Sequence, residues 1–345
     1  SWIGRVKEEQ DSSVVLVVKD GVMSGSIRFS DELYQVRYAG AGAHAVTELD
    51  ASQFRPEAEP IPVVPEVAAA DLPPVALLDD GTIFDVMVVY TPSARSSMGG
   101  TTAMETRIQL GITETNQGYA NSNIIPRLNL VHTEETSYTE SAGSMADDLN
   151  RLTSTSEGYM DNVHTLRDNY GADLVSLIVD RTDYCGIAWL MTGGPQASFE
   201  SYAFSVVDWS CISPYYSFGH ELGHNLGCHH APEDTTDTAG VYTYSFGYKE
   251  PSELFRTVMA YNCPGGCTRV LHFSTPTVNY GGRTTGTATQ DNARSINNVR
   301  ATAANWRTSV ASTSTLSLDK SSLVFNATSN RNYVTSSQTV RVNVS

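Results

Sequence analysis

Three histidines, one glutamate and one glycine stand at fixed spacing between His220 and His230, in the pattern His-Glu-x-x-His-x-x-Gly-x-x-His. Because residues four apart share one face of a helix, His220 and His224 can present imidazole nitrogens to the same metal ion. Gly227 lets the chain end that helix and turn back, which brings in His230 as a third ligand. Three protein ligands with a fourth position left open are typical of catalytic rather than structural zinc.

Glu221 follows the first histidine of the motif directly. A carboxylate at this position lies close enough to the metal to take a proton from an activated water. The spacing selects His230 over its neighbour His229, so we expect His229 to face solvent or to support a ligand. The motif therefore predicts one zinc ion with Glu221 as general base.

A second motif lies downstream, where Phe255 to Tyr261 reads Phe-Arg-Thr-Val-Met-Ala-Tyr. The long histidine motif followed by a methionine-containing turn resembles the metzincin metallopeptidases. The string His-Phe-Ser-Thr-Pro at 272–276 resembles their secreted bacterial reprolysin-like (adamalysin-type) members. The resemblance implies that Met259 forms an apolar floor beneath the zinc ligands. It also implies that Tyr261 is an additional zinc ligand or a transition-state donor.

The composition limits the partners of the chain. Its 345 residues carry a net charge of −16, which argues against nucleic acid or an anionic membrane as partner, because both require basic clusters. The sequence contains no apolar run long enough for a membrane span. The chain begins at Ser1 without an apolar leader, as expected for a secreted protein whose signal peptide has been removed.

Five cysteines, all in the second half of the chain, indicate disulfides in an oxidising compartment. Cys185 and Cys211 bracket a predicted hairpin and are the first expected pair. Cys263 and Cys267 could close a small loop after the methionine turn, which leaves Cys228 unpaired. The alternative is that Cys228 pairs with Cys263 or Cys267.

The pattern of residues predicts four regions along the chain. Short β-rich stretches in residues 1–55 resemble the propeptide core of reprolysin-like enzymes, and residues 56–82 form a Pro-rich linker with an activating cleavage site. Residues 83–308 form the catalytic domain, and residues 309–345 alternate like the first strands of a C-terminal β-sandwich module. The alternation runs through residues 316–345, and thirty residues cannot bury the core of such a module alone.

The catalytic region alternates strands with helices, which predicts an α/β (α+β) fold. Strands are expected at 83–90, 127–132, 173–180, 185–190 and 202–208, which the resemblance arranges as a mixed five-stranded sheet beside the active-site helix. We expect that helix to start at Ser217 as N-cap and to end at Gly227.

The resemblance also makes the strand after Cys185 an antiparallel edge strand lining the cleft. An exposed edge can bind an extended peptide, so Gly186, Ile187 and Ala188 are the predicted substrate-backbone binders. The segment after Met259 is expected to form the specificity pocket. Arg269 there would favour an acidic side chain, unless it is an ordinary surface arginine.

The N-terminal region departs from the family in one respect. Many reprolysin-like propeptides block the zinc with a cysteine, but no cysteine precedes Cys185. If the propeptide blocks the metal, a carboxylate must do so, with Asp50 and the acidic residues of the linker as candidates. A purely steric block is the alternative.

Together these features predict a secreted zinc endopeptidase present as a proenzyme, acting on protein or peptide substrates and inhibited by its own propeptide. The rival interpretations are a latent or non-catalytic zinc-binding adhesion protein and a zinc hydrolase of non-peptide substrates. Calcium stays open as a second ion, because Asp and Asn are plentiful although no EF-hand spacing occurs.

Overall fold

The computed structural model describes residues 1–9, 12–29, 32–63, 79–140, 143–235, 240–310, 316–318 and 342–344. The chain divides into two compact units, Ser1–Ser309 and Val310–Ser345. In the second unit, β16 (Leu316–Leu318) pairs antiparallel with β17 (Val342–Val344). The rest of the predicted C-terminal module lies outside the described residues.

A five-stranded antiparallel sheet opens the first unit. Its strands, in spatial order, are β1 (Trp2–Gly4), β2 (Ser13–Lys19), β3 (Val22–Phe29), β4 (Glu32–Gly40) and β5 (Ala43–Glu48). The alternation in β2 places Val15 and Val17 on a buried face, where they form a cluster with Leu110. The predicted β-rich character of residues 1–55 is therefore present in the structure.

The central sheet has six strands in the order β6-β10-β11-β9-β7-β8. They are β6 (Ile61–Val63), β7 (Ile83–Tyr90), β8 (Arg127–Glu135), β9 (Leu174–Val179), β10 (Gly186–Met191) and β11 (Phe204–Asp208). Strand β10 runs antiparallel to β11, whereas β7, β8, β9 and β11 are mutually parallel. The central strand β7 is an almost continuous apolar run because both faces of the sheet are covered.

The prediction of five strands is wrong by one. The additional strand β6 comes from the segment predicted to be linker, and it pairs parallel with β10. A three-residue strand containing Pro62 gives little sequence signal, since proline is tolerated only at the edge of a sheet. Residues 64–78 of the predicted linker lie outside the described residues.

Helices cover both faces of the central sheet. They are α1 (Pro92–Met98), α2 (Thr101–Asn121), α3 (Met145–Thr153), α4 (Asp161–Tyr170), α5 (Ser217–Asn225) and α6 (Asn292–Ala303). Alternate residues of β7 divide between the two cores: Val86 and Val88 belong to the core with α2 and α5, and Met87 and Val89 to the core with α3. No helix among the described residues is long and apolar enough to cross a membrane.

The region after α5 is mainly loop, braced by short strand pairs and a disulfide. The pairs are β12 (Phe255–Arg256) with β13 (Thr268–Arg269), and β14 (Asn279–Tyr280) with β15 (Arg283–Thr284). Cys263 is bonded to Cys267, and Cys185 is bonded to Cys211. Cys228 is unpaired and buried, so both expected disulfides are present and the alternative pairing of Cys228 is wrong.

The N-terminal sheet packs against α2, which covers one face of the central sheet. The buried Glu114 of α2 accepts hydrogen bonds from Ser26 of β3 and from Ser213, the latter at 2.9 Å. Burial raises the pKa of Glu114 to about 7. Gln35 of β4 also donates to the Ser213 carbonyl at 3.0 Å, so polar contacts supplement the apolar contacts of β2 at this interface.

Candidate active site

The active-site helix α5 begins one residue earlier than an N-cap at Ser217 would require. Tyr216 precedes it in a left-handed conformation with φ of 69°, and no side chain caps the first turn. Ser217 is therefore the first helical residue, and the prediction that it is the N-cap is wrong. At the other end, the Asn225 amide donates to the carbonyls of Trp189 and Phe204, which fixes the helix to β10 and β11.

The turn after α5 depends on Gly227, whose φ of 80° is strained for a residue with a side chain. Its N–H donates to the His224 carbonyl and the N–H of Cys228 donates to the Gly223 carbonyl, both at 2.9 Å. These bonds satisfy carbonyls at the helix end in the manner of a Schellman cap. The chain then reverses and brings His230 back against the helix.

The three predicted ligands meet at one point. The Nε2 atoms of His220, His224 and His230 lie 3.0–3.1 Å from one another. Nδ1 of His220 donates to the Val258 carbonyl, and Nδ1 of His224 donates to the Cys228 carbonyl, each at 2.8 Å. This tautomer leaves the Nε2 lone pairs of both rings directed toward the shared point.

Burial also lowers the pKa of all three histidines well below the usual value, so the rings are neutral. Three neutral acceptors packed together have no proton to share and would repel without a cation between them. Nitrogen atoms about 3 Å apart suit a tetrahedral ion with bonds of about 2.0–2.1 Å, the Zn–N distance. The donor set therefore fits zinc, and the histidines form one of two potential metal-binding groups among the described residues.

Glu221 is fully buried beside the histidines, and neither carboxylate oxygen has a hydrogen-bond partner among the described residues. Burial raises the pKa of Glu221 well above the usual range, and the nearby Glu57 carboxylate adds to this. Gly186 makes room for it, since a Cβ there would lie 2.4 Å from Glu221 Oε1 and 2.7 Å from its Cδ. An unpaired buried carboxylate of raised pKa is suited to exchange protons near neutral pH.

Comparison with known proteins bears on this geometry. The sequence model of metallo-peptidase family M12 matches residues 80–274, more than half of the chain. The chain belongs to metallopeptidase family M12. It is a zinc metalloendopeptidase, as the reprolysin-like resemblance implies.

Several curated relatives of this M12 protein carry the name peptidyl-Asp metalloendopeptidase. One from Stenotrophomonas maltophilia is 38% identical and aligns over 87% of this chain and 72% of its own length. One from Xanthomonas campestris pv. campestris is 34% identical over 86% of this chain and 70% of its own length. One from Pseudomonas fragi is 33% identical over 56% of this chain and all of its own length.

Among solved structures, one described as "Structure of a chaperone-substrate complex" is similar in fold, with a TM-score of 0.51 and 17% identity. The alignment covers 86% of the M12 chain and 46% of the solved chain, so this protein spans about half of that chain's length. At this identity the likeness concerns the fold alone.

The methionine turn lies beneath the active-site helix of the M12 domain. Met259 is fully buried, and its Sδ lies 2.6 Å from the position that a Cβ on Gly223 would take. Tyr261 packs on His230, with ring centroids 4.0 Å apart. Burial raises the pKa of the Tyr261 hydroxyl, and nearby carboxylates raise it further, so the phenol keeps its proton.

His229 does not face solvent. The residue is fully buried, and its Nδ1 accepts the backbone N–H of His230 at 2.7 Å. This bond holds the backbone of the third predicted ligand. Of the two alternatives for His229, the structure supports the one in which it positions a ligand.

Arg269 is buried beside the histidines and is not an ordinary surface arginine. Its Nη1 donates to Glu57 Oε1 at 2.7 Å and to the Tyr215 carbonyl at 2.8 Å. Its Nη2 donates to the Val258 carbonyl at 2.5 Å and lies 2.7 Å from His220 Nδ1. When His220 Nε2 faces a metal, His220 Nδ1 carries the proton and is a donor, as Arg269 Nη2 is. The two donors therefore share the Val258 carbonyl as their acceptor.

Ser217 completes this carboxylate contact, since its Oγ donates to Glu57 Oε1 at 2.8 Å. The sequence suggests no such role for Ser217, and it does not distinguish Glu57 from the other acidic residues of the linker. Glu57 and Arg269 are separated by 212 residues, so only the tertiary structure pairs them.

The three predicted backbone binders on β10 have different partners. The Gly186 carbonyl accepts the N–H of Ala58 at 2.9 Å, so a chain segment does bind there. Ile187 and Ala188 are paired with β11 in the antiparallel ladder. Their role toward a substrate stays a prediction.

Proposed function

We propose that this M12 enzyme hydrolyses peptide bonds adjacent to acidic side chains. The observation that carries the proposal is the buried Arg269 guanidinium, which holds a carboxylate at 2.7 Å beside His220. The peptidyl-Asp name of the curated relatives supports the same substrate class. A charge-assisted hydrogen bond contributes about 1.5–3 kcal/mol, which corresponds to roughly 10- to 150-fold preference over an uncharged side chain.

In the proposed mechanism, His220, His224 and His230 hold one zinc ion. Bound there, zinc would act as a Lewis acid toward the scissile carbonyl and lower the pKa of a water. Glu221 takes the proton of the attacking water and delivers it to the departing amine. Its buried and unpaired carboxylate supports this role. Calcium stays a prediction, with no described group assigned to it.

Two residues of the methionine turn complete the centre. We assign Tyr261 the role of a hydrogen-bond donor to the developing oxyanion, because it keeps its proton and packs directly on His230. Met259 supports the histidine-bearing helix from below through its contact at Gly223. Neither residue is required to transfer a proton.

The peptide substrate would lie along β10, with Gly186, Ile187 and Ala188 as its backbone partners and Arg269 as the partner of its acidic side chain. The pairing of β6 with Trp189–Met191, further along the same strand, supports this groove, since an additional segment of chain is bonded to β10 there. Glutamate as well as aspartate is expected to fit, because the carboxylate now bound to Arg269 belongs to a glutamate.

We further propose that the chain is a secreted proenzyme with residues 1–55 as propeptide, residues 83–308 as catalytic domain and residues 309–345 as the start of a C-terminal module. Two disulfides support an oxidising compartment. Activation would follow cleavage within residues 56–82, of which 64–78 lie outside the described residues. Membership of a peptidase family favours this interpretation over an adhesion protein.

The test uses pairs of fluorogenic peptides that differ only in Asp against Asn or Glu against Gln. The chain is assayed intact and after a trace of a second protease, with and without a zinc chelator, and products are mapped by mass spectrometry. We expect chelator-sensitive cleavage beside the acidic residue alone. Equal rates on the amide peptides would refute the acidic preference, and chelator-insensitive cleavage would refute the zinc mechanism.

A further inference from the structure

A segment of the N-terminal region crosses the active site from end to end. We define this crossing segment as Phe54–Val63. At its start, the Phe54 ring stacks on Tyr215, with centroids 4.5 Å apart and planes 11° apart. At its end, β6 pairs with Trp189–Met191 of β10, and Thr192 Oγ1 donates to the Val63 carbonyl at 2.7 Å. The crossing segment therefore occupies the sheet edge that an extended peptide would need.

Glu57 lies near the middle of the crossing segment. The residues before and after it, Pro56 and Ala58, are both fixed by main-chain hydrogen bonds. The N–H of Cys185 donates to the Pro56 carbonyl, and the N–H of Ala58 donates to the Gly186 carbonyl, both at 2.9 Å. Only 2% of the Glu57 side chain is exposed. Its carboxylate therefore lies inside the site rather than in solvent.

The Glu57 carboxylate is bound as a substrate carboxylate would be. Oε1 accepts from Ser217 and Arg269, whereas Oε2 is buried and has no hydrogen-bond partner among the described residues. Glu57 also forms a group with His220 and Glu221 whose ligand atoms all lie within 4.8 Å of one another. The residue that fills the pocket therefore lies beside the reacting centre as well.

Other acidic residues of the N-terminal region are less suited to this role. Asp50 is exposed, and its carboxylate accepts from Ser52 and Gln53 within its own turn. Glu59 lies 3.5 Å from His230 Nδ1, but 54% of its side chain is exposed. Burial and pairing with a cation together distinguish Glu57 from these two acidic residues.

We propose that Ser217 and Arg269 form a carboxylate-binding subsite and that Glu57 fills it in cis, so that the crossing segment is a built-in competitive inhibitor. The inference rests on the proposed preference for acidic substrates and extends it to the chain's own sequence. Tethered within the same chain, the segment acts at an effective concentration of the order of millimolar, which favours it over a dilute substrate. Latency then needs no cysteine on the metal.

The experiment measures binding and therefore does not depend on turnover. The full-length chain carries Glu221→Ala to prevent cleavage, and a fluorescein-labelled peptide with one central glutamate is titrated by anisotropy. The same measurement is made with Glu57→Gln, Glu59→Gln or the exposed control Glu48→Gln added, and with a probe whose glutamate is replaced by glutamine.

We expect Glu57→Gln to strengthen binding of the acidic probe by about tenfold, because it removes the charge that competes for Arg269. The control Glu48→Gln should leave binding unchanged, and the glutamine probe should respond weakly to every variant. No change with Glu57→Gln, or an equal gain with Glu59→Gln, would overturn the inference. If Glu57→Gln gives the tenfold gain in binding but the parent chain shows no hydrolysis that depends on an acidic residue in the substrate, only the proposed function is refuted.

A second measurement covers the case in which Glu57→Gln does not fold. A synthetic peptide of residues 54–63 is added to the parent chain carrying Glu221→Ala after it has been nicked by a trace of a second protease, and displacement of the acidic probe is recorded. The peptide should displace the probe at least tenfold better than its version with Glu57→Gln. Equal displacement by the two peptides would overturn the inference.

Discussion

Gly186→Ala tests the position of the proposed catalytic carboxylate, Glu221, through a direct steric contact. The added Cβ would lie 2.4 Å from Oε1 and 2.6 Å from Cγ of Glu221. Ordinary van der Waals contact begins near 3.4 Å, so the carboxylate must retreat by about 1 Å. Misplacement by ~1 Å costs about 100-fold in rate. We therefore expect kcat to fall about 100-fold, with KM changed little because Glu221 does not bind the substrate.

The assay compares kcat, KM and zinc content of the nicked parent and variant on one acidic fluorogenic peptide. Gly118→Ala is the matched control, since a Cβ on this α2 residue would lie 3.2 Å from the flexible Leu271 side chain and 3.5 Å, an ordinary contact distance, from Phe273 Cε2. The control should keep the parent kcat within about twofold, and both variants should keep their zinc. Full activity of Gly186→Ala with zinc bound would refute the assignment of Glu221, and a rise in KM alone would make Gly186 a substrate contact only.

Three further predictions concern the proton, the substrate carboxylate and the N-terminal interface. Glu221→Ala should keep zinc, measured by atomic absorption, while kcat falls by at least about 100-fold; normal turnover would exclude it as base. Ser217→Ala should lower kcat/KM for Asp and Glu peptides about tenfold and leave Asn and Gln peptides unchanged; an equal loss on both would contradict a carboxylate contact. Native Glu114 keeps its proton up to a pKa of about 7, whereas the unfolded chain releases it near the ordinary value of 4.5. The unfolded state then binds fewer protons over this interval, so the free energy of unfolding should fall by about 3 kcal/mol as pH rises through it. Urea unfolding of the inactive Glu221→Ala chain at pH 5, 6, 7 and 8 should record this fall, and Glu114→Gln should abolish it.

The local parts of the site are predictable from the sequence because their geometry is local. Helical periodicity alone brings His220 next to His224, and the φ that Gly227 adopts accounts for the return of His230. Continuous apolar runs such as Ile83–Tyr90 likewise identify the central strands. Each of these inferences depends on neighbours within about ten residues.

What the sequence does not predict depends on distant partners. The pairing of Glu57 with Arg269 joins residues 212 positions apart, and β6 exists because β10 offers an unpaired edge. The N-cap prediction for Ser217 fails for a related reason. Its hydroxyl donates to Glu57, and the left-handed Tyr216 occupies the N-cap position instead. Local propensity carries no information on such contacts.

If the proposed cleavage activates the chain, the packing of the N-terminal sheet on α2 makes that activation a two-step process. A cut between Val63 and Ile83 would sever one peptide bond but leave the apolar contact of Val15 with Leu110 and the hydrogen bond between Ser26 and Glu114. The product of cleavage is then a two-chain complex, and release becomes a dissociation governed by mass action. Freshly nicked enzyme should thus gain activity on dilution and lose it on concentration. Its activity would then depend on the volume into which it is released.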